Sequence, residues 1–183
     1  MAWSPPMTAV AGTVFTASQY NRYIRDNLLE TAVAKATQAD QYFVVNGVNS
    51  IAARKVGGGH ISTGEDSTSD SYGDLATPGP TVTLETGERV LIMLSAAMEP
   101  RSQNNMSGAM SVQVSGATSI SPSDTHSVML DGIVVGSGNV RFGATHMIDN
   151  LNPGTNVFQA KYRSSGGGQT FRFWRRTLVV VPL

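Results

Sequence analysis

Residues 155–183 decide the fold, and they read TNVFQAKYRSSGGGQTFRFWRRTLVVVPL. Their first part alternates apolar and polar side chains: Phe158, Gln159, Ala160, Lys161, Tyr162, Arg163. A period of two is typical of a half-buried strand. The sequence SSGGG at 164–168 then predicts a tight reversal, because glycine tolerates positive φ. The stretch is therefore predicted to form a β-hairpin.

The return strand ends in an apolar run at 178–181 that has no polar face. Such a run indicates a strand that is covered on both faces. A two-layer sandwich covers one face with its own core, so the other face needs a second layer or a neighbouring subunit. We favour the subunit, because few elements of so short a chain remain to form a further layer. Leu178, Val179 and Val181 are the predicted interface residues.

Composition limits the class of protein. The chain has 183 residues, of which 14% are charged, and its formal net charge is zero. Zero net charge argues against nucleic-acid binding driven by phosphate neutralisation. The sequence has no cysteine, which excludes disulfides and thiolate chemistry. It also shows no secretory signal and no apolar run of membrane-spanning length.

Residues 1–36 are predicted to form an extended arm followed by one amphipathic helix. Pro5 and Pro6 favour a stiff, extended chain. Thr16 with Gln19 matches a capping box that starts a helix at Ala17, and we expect the helix to reach about Val33 or Ala36. The apolar stripe along one face of this helix could pack against the sandwich, against a partner or against copies of itself. The predicted anchor residues are Trp3, Pro5, Pro6, Met7, Phe15, Tyr20, Tyr23, Ile24 and Leu28.

Residues 37–56 are predicted to be a connector with one short strand at 42–45, and residues 57–183 a β-domain. The glycine run at 57–59 is interpreted as a turn. Strands are predicted at 71–75, 81–84, 89–97, 107–115, 127–131 and 140–148, with prolines between them. Together with the final hairpin, these strands predict a mainly β fold, an antiparallel β-sandwich or jelly roll.

Catalytic and metal sites find little support in the sequence. Ser123, Asp124 and His126 include the residue types of a catalytic triad, but triads assemble from distant positions, so this local cluster is interpreted as a turn. His60, His126 and His146 lack metal-ligand spacing. The glycine runs lack the lysine of a phosphate loop. We therefore predict a non-enzymatic protein with no cofactor and no metal.

Two binding hypotheses remain. The sequence RFWRR at 172–176 interleaves cations with aromatic residues, as nucleic-acid binders do, but strand alternation explains the pattern without nucleic acid. Aromatic side chains on a β-sandwich can also bind sugars, and Tyr72 and Trp174 are the candidate contacts for a host cell-surface glycan.

The N-terminal sequence resembles a known family. MAWSPPMTAVAG at the start, FTASQYN from Phe15 and YIRDNL from Tyr23 are similar to the start of small virion structural proteins of tailed phages that infect actinobacteria. YFVVNGVNSIAAR from Tyr42 resembles a linker motif of phage tail and fibre proteins. The C-terminal hairpin is similar to phage domains of the tumour-necrosis-factor-like jelly-roll kind.

This resemblance implies a structural protein of the virion that forms a homotrimer and is assembled in the bacterial cytoplasm. It leaves two locations open. The protein would be a decoration or head-fibre protein held by the major capsid protein, or a minor tail protein held by another virion protein. We favour the capsid, because the chain is short for a tail fibre. Neither location requires nucleic acid or a membrane as a partner.

Overall fold

The computed structural model describes residues 3–102, 105–133, 140–165 and 168–183, with the backbone alone at Ile133. The chain divides into two units, Met1–Lys55 and Val56–Leu183, which we call the N-terminal unit and the sandwich. Each is described by itself below.

The N-terminal unit begins with an extended arm and continues into helical turns. These are α1 (Ala17–Tyr20), a π-helical turn (Asn21–Arg25), α2 (Asp26–Leu29) and α3 (Ala32–Lys35). The predicted capping box is confirmed, since Gln19 N–H donates to Thr16 Oγ1 and Thr16 N–H donates to Gln19 Oε1. The rings of Phe15 and Tyr20 meet edge to face at 6.3 Å.

The prediction of one uninterrupted helix is wrong at its end. Helical backbone stops at Glu30, and Thr31 has extended backbone with ψ of 153°. The Thr31 hydroxyl donates to Leu28 O at 2.8 Å and accepts from Ala34 N–H at 3.4 Å. A threonine hydroxyl that bonds nearby backbone groups competes with helical hydrogen bonds. Thr31 therefore ends one helix and caps the next.

The segment predicted as a connector contains two paired strands instead of one. β1 (Gln41–Gly47) and β2 (Ser50–Lys55) form an antiparallel hairpin. Its turn includes Asn49 with φ of +53°, a conformation that asparagine tolerates better than most residues. An isolated two-stranded hairpin is marginally stable in water. In this unit the hairpin is tied to α3, since Lys35 Nζ donates to Ile51 O at 2.9 Å.

The capping box provides a test of how the helix is stabilised. Thr16→Ala removes the cap, and we expect it to destabilise α1 and the π-helical turn by about 0.5–2 kcal/mol. Amide hydrogen exchange should show faster exchange at 17–29 and unchanged exchange in the sandwich. Thr8→Ala is the matched control, because Thr8 is exposed and its hydroxyl makes no hydrogen bond in the described part of the chain. Equal loosening of both units would contradict the expectation.

The sandwich has nine strands in its described residues. They are β3 (Gly57–Ile61), β4 (Glu65–Ser67), β5 (Thr81–Thr86), β6 (Val90–Pro100), β7 (Met106–Gly116), β8 (Ser127–Ile133), β9 (Val140–Ile148), β10 (Gly154–Ser164) and β11 (Phe171–Pro182). One sheet has the order β5-β10-β7-β8, and the other has β3-β11-β6-β9 with β4 also paired to β11. All the pairs are antiparallel.

This strand order is that of a jelly roll, so the predicted fold is confirmed. The last two strands are central: β10 lies between β5 and β7, and β11 lies between β3 and β6. Phe158, Tyr162 and Phe173 from these two strands are fully buried between the sheets. The predicted reversal at 164–168 includes Gly166 and Gly167, which lie outside the described residues.

Two predictions about strands are wrong. Residues 57–59 form β3 instead of a turn, and a Cβ at Gly57 would clash with Val82 Cγ1. Glycine here permits a close approach of β3 to β5, and a composition rule cannot distinguish this use from a turn. Residues 71–75 form no strand; they contribute a single bridge, between Gly73 and Tyr162.

A β-bulge in β11 determines which side chains of the final strand face the core. The register to β6 shifts between Trp174 and Thr177, and Arg175 has φ of +49°. Before the bulge, Phe171 and Phe173 point inward. The bulge adds one residue to the strand, so that odd-numbered residues point inward before it and even-numbered residues after it. The inward residues after the bulge are Arg176, Leu178, Val180 and Pro182.

Candidate assembly surfaces

The sheet β3-β11-β6-β9 carries an apolar cluster on its outer face. Register places Val181 beside Leu91 and Leu91 beside Met147, while Val179 lies beside Met93. We call these five residues the outer patch. Met93 and Met147 are 38% and 45% exposed, and the other three are half-buried. Because exposed apolar patches are common at sites of protein contact, the outer patch is a candidate for such a site.

A polar row borders the outer patch. His60 Nδ1 and Thr177 Oγ1 lie 2.9 Å apart, and Arg141 Nη2 donates to Ser95 Oγ at 3.3 Å. His60, Thr177 and Ser95 occupy one row of register across β3, β11 and β6, and Arg141 of β9 lies two residue pairs further along. An apolar centre with a polar border is the usual anatomy of a protein–protein interface.

The predicted interface residues divide between the two faces of β11. Val179 and Val181 belong to the outer patch, but Leu178 is fully buried in the sandwich's own core. The assignment of Leu178 to a subunit interface is therefore corrected. The sequence showed a run of apolar residues without revealing the bulge at Arg175, and the bulge determines which of them point outward.

The arm of the N-terminal unit is held by one buried amide. Ser4 N–H donates to Asn27 Oδ1 at 2.8 Å, and Asn27 Nδ2 donates back to Ser4 O at 3.1 Å. Asn27 is only 6% exposed, and Trp3 N–H also donates to Asn49 O at 3.0 Å. The sequence analysis did not single out Asn27, which has the helical spacing of the apolar stripe. An asparagine within an otherwise apolar stripe was the available signal.

Five of the predicted anchor residues line one apolar groove between the arm and the helix. They are Pro6, Met7, Phe15, Tyr23 and Ile24. The groove has a volume of about 380 Å³, and Val10 and Val14 complete its apolar wall. We call it the arm groove. The structure therefore brings together residues that are up to 18 positions apart in sequence.

The remaining predicted anchor residues lie elsewhere on the N-terminal unit. Trp3, 41% exposed, lines a second pocket with Val45 and Ile51 of the hairpin. Tyr20 and Leu28 are exposed on the helix, and Pro5 is exposed on the arm. The hairpin adds apolar residues that sequence reasoning missed: Phe43, Val45 and Val48, with Val45 and Val48 over 80% exposed.

The two candidate glycan contacts are not brought together. Trp174 lies on the outer face of β11, paired with Ala97 of β6. Tyr72 lies beside β10 in the other sheet, with the guanidinium of Arg163 5.5 Å from its ring centre. A single platform made of both aromatic side chains is therefore excluded by the fold.

The Ser123–Asp124–His126 cluster has a different geometry from a catalytic triad. The Asp124 carboxylate accepts from Tyr72 Oη at 2.7 Å and from Arg163 Nη2 at 2.8 Å. These bonds hold the pKa of Asp124 below its ordinary value. Burial, followed by the bond to Asp124, raises the pKa of Tyr72 to about 12. Asp124 thus fixes a tyrosine and an arginine, and does not orient His126.

The histidines form a pair rather than a cluster. The rings of His126 and His146 are 6.0 Å apart, and His146 Nε2 lies 3.0 Å from Ser127 O. His60 lies apart from this pair, on β3 at the opposite edge of the sheet that contains His146. No group of three or more His, Asp or Glu side chains among the described residues could hold a metal ion.

The histidine pair predicts a pH dependence of stability. Burial, and then repulsion from His146, lowers the pKa of His126 from its ordinary value of 6.5. A lowered histidine pKa contributes stability that is complete above the unfolded pKa and is lost as the pH falls through the folded pKa. We therefore expect the free energy of unfolding to decrease as the pH is lowered below about 6.5.

His126→Gln should reduce this fall in stability, because glutamine does not titrate. Urea unfolding of the sandwich, followed by circular dichroism at several pH values, measures the effect. His60→Gln is the control, since His60 lies outside the pair. The same dependence on pH in the wild-type protein and in His126→Gln would contradict the assignment.

The arginines of the RFWRR segment point in different directions. Arg172 forms a bidentate ion pair with Asp66, at 2.7 and 3.0 Å. Arg176 is fully buried, with Nη2 3.3 Å from Glu65 Oε2 and its guanidinium 5.3 Å from the Tyr162 ring centre. One of the three cations is thus buried in the sandwich, and a second is paired on its surface. Arg175 is exposed beside Trp174.

No helix in the described ranges is both long and apolar enough to span a membrane. The sandwich is a jelly roll, and each of the two units carries exposed apolar side chains among its described residues.

Comparison with known proteins adds structural likenesses only. No protein-family model and no curated protein matches the chain. The chain is similar to the structure of Eiger TNF from S. frugiperda, with 9% identity and a TM-score of 0.46 over 71% of this chain and 92% of that one. It is also similar to infectious bursal disease virus Gt strain, with 11% identity and a TM-score of 0.49 over 75% of this chain and 36% of that one. Because both scores are below 0.5, the jelly-roll assignment rests on the strand order described above.

Proposed function

We propose that this chain is a structural component of a phage virion. In this account it assembles as a homotrimer through the outer patch of the sandwich, and its N-terminal unit attaches it to the capsid as a decoration or head-fibre protein. The observation that carries the proposal is the concentration of exposed apolar side chains on the N-terminal unit.

That concentration is uneven along the chain. Among the described residues, 17 large hydrophobic side chains are exposed, and 12 of them belong to the N-terminal unit. This unit makes up less than a third of the sequence. Large exposed apolar surfaces are rare on proteins that act alone, and they mark sites of association. A unit of this kind is suited to binding another protein.

The arm groove indicates how such attachment would work. Pro5 and Pro6 restrict the arm before binding, so that less conformational entropy is lost when a partner docks. The Ser4–Asn27 pair already fixes the arm against the helix. Apolar arms and grooves of this size accept an extended segment or a helix of a partner. The resemblance at residues 1–28 supports a virion protein as that partner, and of the two locations that it leaves open we propose the capsid, with the major capsid protein as the partner.

The outer patch supports self-association. It presents Met93, Met147 and Val179 on a flat sheet face whose polar border contains Arg141 and His60. A standard interface buries about 800 Å² on each partner, and the outer patch would form its apolar centre. A trimer is the state that the resemblance implies.

Counting copies on purified particles tests the location. A capsid protein is expected in hundreds of copies per particle by quantitative mass spectrometry. A few copies per particle would place the protein in the tail. Its absence from purified particles would overturn the proposal.

A further inference from the structure

The outer face of sheet β5-β10-β7-β8 carries a polar groove that the assembly account does not use. Its volume is about 710 Å³. Six side chains define it: Asp70, Tyr72, Ser121, Ser123, Asp124 and Arg163. We call it the polar groove. It lies on the opposite sheet from the outer patch, so the patch can form a subunit contact without occupying it.

One wall of the polar groove is fixed to the sheet by a buried serine. Ser111 of β7 is fully buried; its hydroxyl donates to Ser123 O at 2.7 Å and accepts from Ser123 N–H at 3.1 Å. The bridge between Val114 and Ile120 ties down the start of the same loop. The loop that presents Ser121 and Ser123 is therefore held in place before any ligand arrives.

The other wall is bonded to the edge of β10. Gly73 and Tyr162 exchange two backbone hydrogen bonds, each of 2.9 Å, and Ser164 N–H donates to Ser69 O at 2.7 Å. These bonds hold the segment that carries Asp70 and Tyr72. Ligand sites are usually preformed clefts in which a rigid scaffold positions a few polar groups, and both walls meet that description.

The floor of the polar groove is a connected set of hydrogen bonds. Arg163 donates to both carboxylate oxygens of Asp124, at 3.0 and 2.8 Å, and Tyr72 Oη donates to the same carboxylate. A bidentate arginine–carboxylate pair fixes the orientation of both groups. Asp124 Oδ2 and the remaining guanidinium nitrogen therefore present an acceptor and a donor at fixed positions.

Several polar groups around the groove remain available to a ligand. The carboxylate of Asp70 and the hydroxyls of Ser121 and Ser123 make no hydrogen bond within the part of the chain described. Hydroxyls both donate and accept, whereas carboxylates only accept. The ligand must therefore supply both donors and acceptors, as the hydroxyl groups of a sugar do.

The formal charge of the polar groove indicates which class of sugar it would bind. The groove contains two carboxylates and one guanidinium, so its formal charge is −1, which disfavours anionic ligands such as uronic acids, sialic acid or phosphate. Its lining of acids and hydroxyls has little apolar surface besides Tyr72 and Pro122, which disfavours lipid. We propose that the polar groove binds a neutral glycan, with Asp70, Asp124 and the two serines bonded to sugar hydroxyls and Tyr72 beside the ring.

This inference goes beyond the proposed function, since it adds a recognition surface to the sandwich and holds whether the protein sits on a capsid or not. The test uses the full chain on an array of neutral, amino and acidic oligosaccharides, followed by saturation-transfer NMR and calorimetry with the best ligand. We expect neutral oligosaccharides to bind and acidic ones to be rejected.

Asp70→Ala is the informative variant, because Asp70 is exposed and has no partner among the described residues, so we expect its loss to leave the fold intact. We expect it to weaken glycan binding about tenfold or more, the effect of losing a hydrogen bond to a charged group. Asp149→Ala is the matched control, since Asp149 is also an exposed aspartate but pairs with Arg89 away from the groove; it should leave binding unchanged.

Three results would overturn the inference: no oligosaccharide binds, acidic oligosaccharides or basic peptides bind in preference to neutral glycans, or Asp70→Ala and Asp149→Ala bind equally. None of these results bears on trimer formation or on attachment to particles, so failure here is distinguishable from failure of the proposed function.

Discussion

Val179→Asp is expected to convert the trimer into a monomer. Val179 lies in the outer patch beside Met93, and a carboxylate there would be buried without a partner in the assembled state. In the isolated chain the same side chain faces solvent, so the jelly roll should still fold. Light scattering should show the mass fall from three times the 19.4 kDa chain mass to the chain mass itself.

Thr83→Asp provides the matched control for this experiment. Thr83 is exposed on the outer face of β5, in the other sheet, and Thr83→Asp adds the same charge there. We expect this variant to remain a trimer. A wild-type chain that is a stable monomer would contradict the assembly account, and so would a trimer that tolerates aspartate at both positions.

Deleting residues 2–14 is expected to abolish attachment to particles. The deletion removes Pro6, Met7 and Val10, which form one side of the arm groove. Because the sandwich is a separate unit with its own core, the truncated chain should remain soluble and trimeric. Co-sedimentation with particles that lack the protein measures attachment. A truncated chain that still covers the particles at full occupancy would show that the sandwich carries the anchor.

A pair of point variants separates the groove from the length of the arm. Met7→Glu places a charge in the arm groove while keeping the arm intact, and we expect it to weaken attachment strongly. Thr8→Glu adds the same charge at the next residue, which does not line the groove, and should attach normally. Equal attachment by both variants would mean that the groove is not the contact.

The sequence predicted the jelly roll because strand alternation is a local property. Phe158, Tyr162 and Phe173 could be assigned to the core from period two alone, and their burial agrees. The capping box at Thr16 is also local, and it was predicted correctly. Structural features that depend on a few neighbouring residues could therefore be predicted from the sequence.

Structural features that depend on contacts between residues far apart in sequence could not be predicted. The bulge at Arg175 turns Leu178 inward, and it also turns Arg176 inward to contact Glu65, 111 residues away in sequence. Gly57 and Gly59 form a strand because β5 packs closely against them, which no local rule encodes.

The polar groove could not be predicted from the sequence for the same reason. Tyr72, Asp124 and Arg163 are separated by 52 and 39 residues, and only the fold brings them together. The sequence suggested Tyr72 as a glycan contact on its aromatic character, and it could not show that Trp174, the other candidate, lies on the other sheet. The aspartate and arginine that complete the groove had been interpreted as a turn residue and a strand-face residue.

A cryo-electron microscopy map of particles that carry this protein tests the central claim most directly. The account predicts threefold clusters of jelly rolls on the capsid, with the outer patch at the contacts between subunits and the arm groove occupied by a segment of the capsid protein. A map in which the protein is absent from the particle, or is present with its N-terminal unit free of any virion protein, would contradict it.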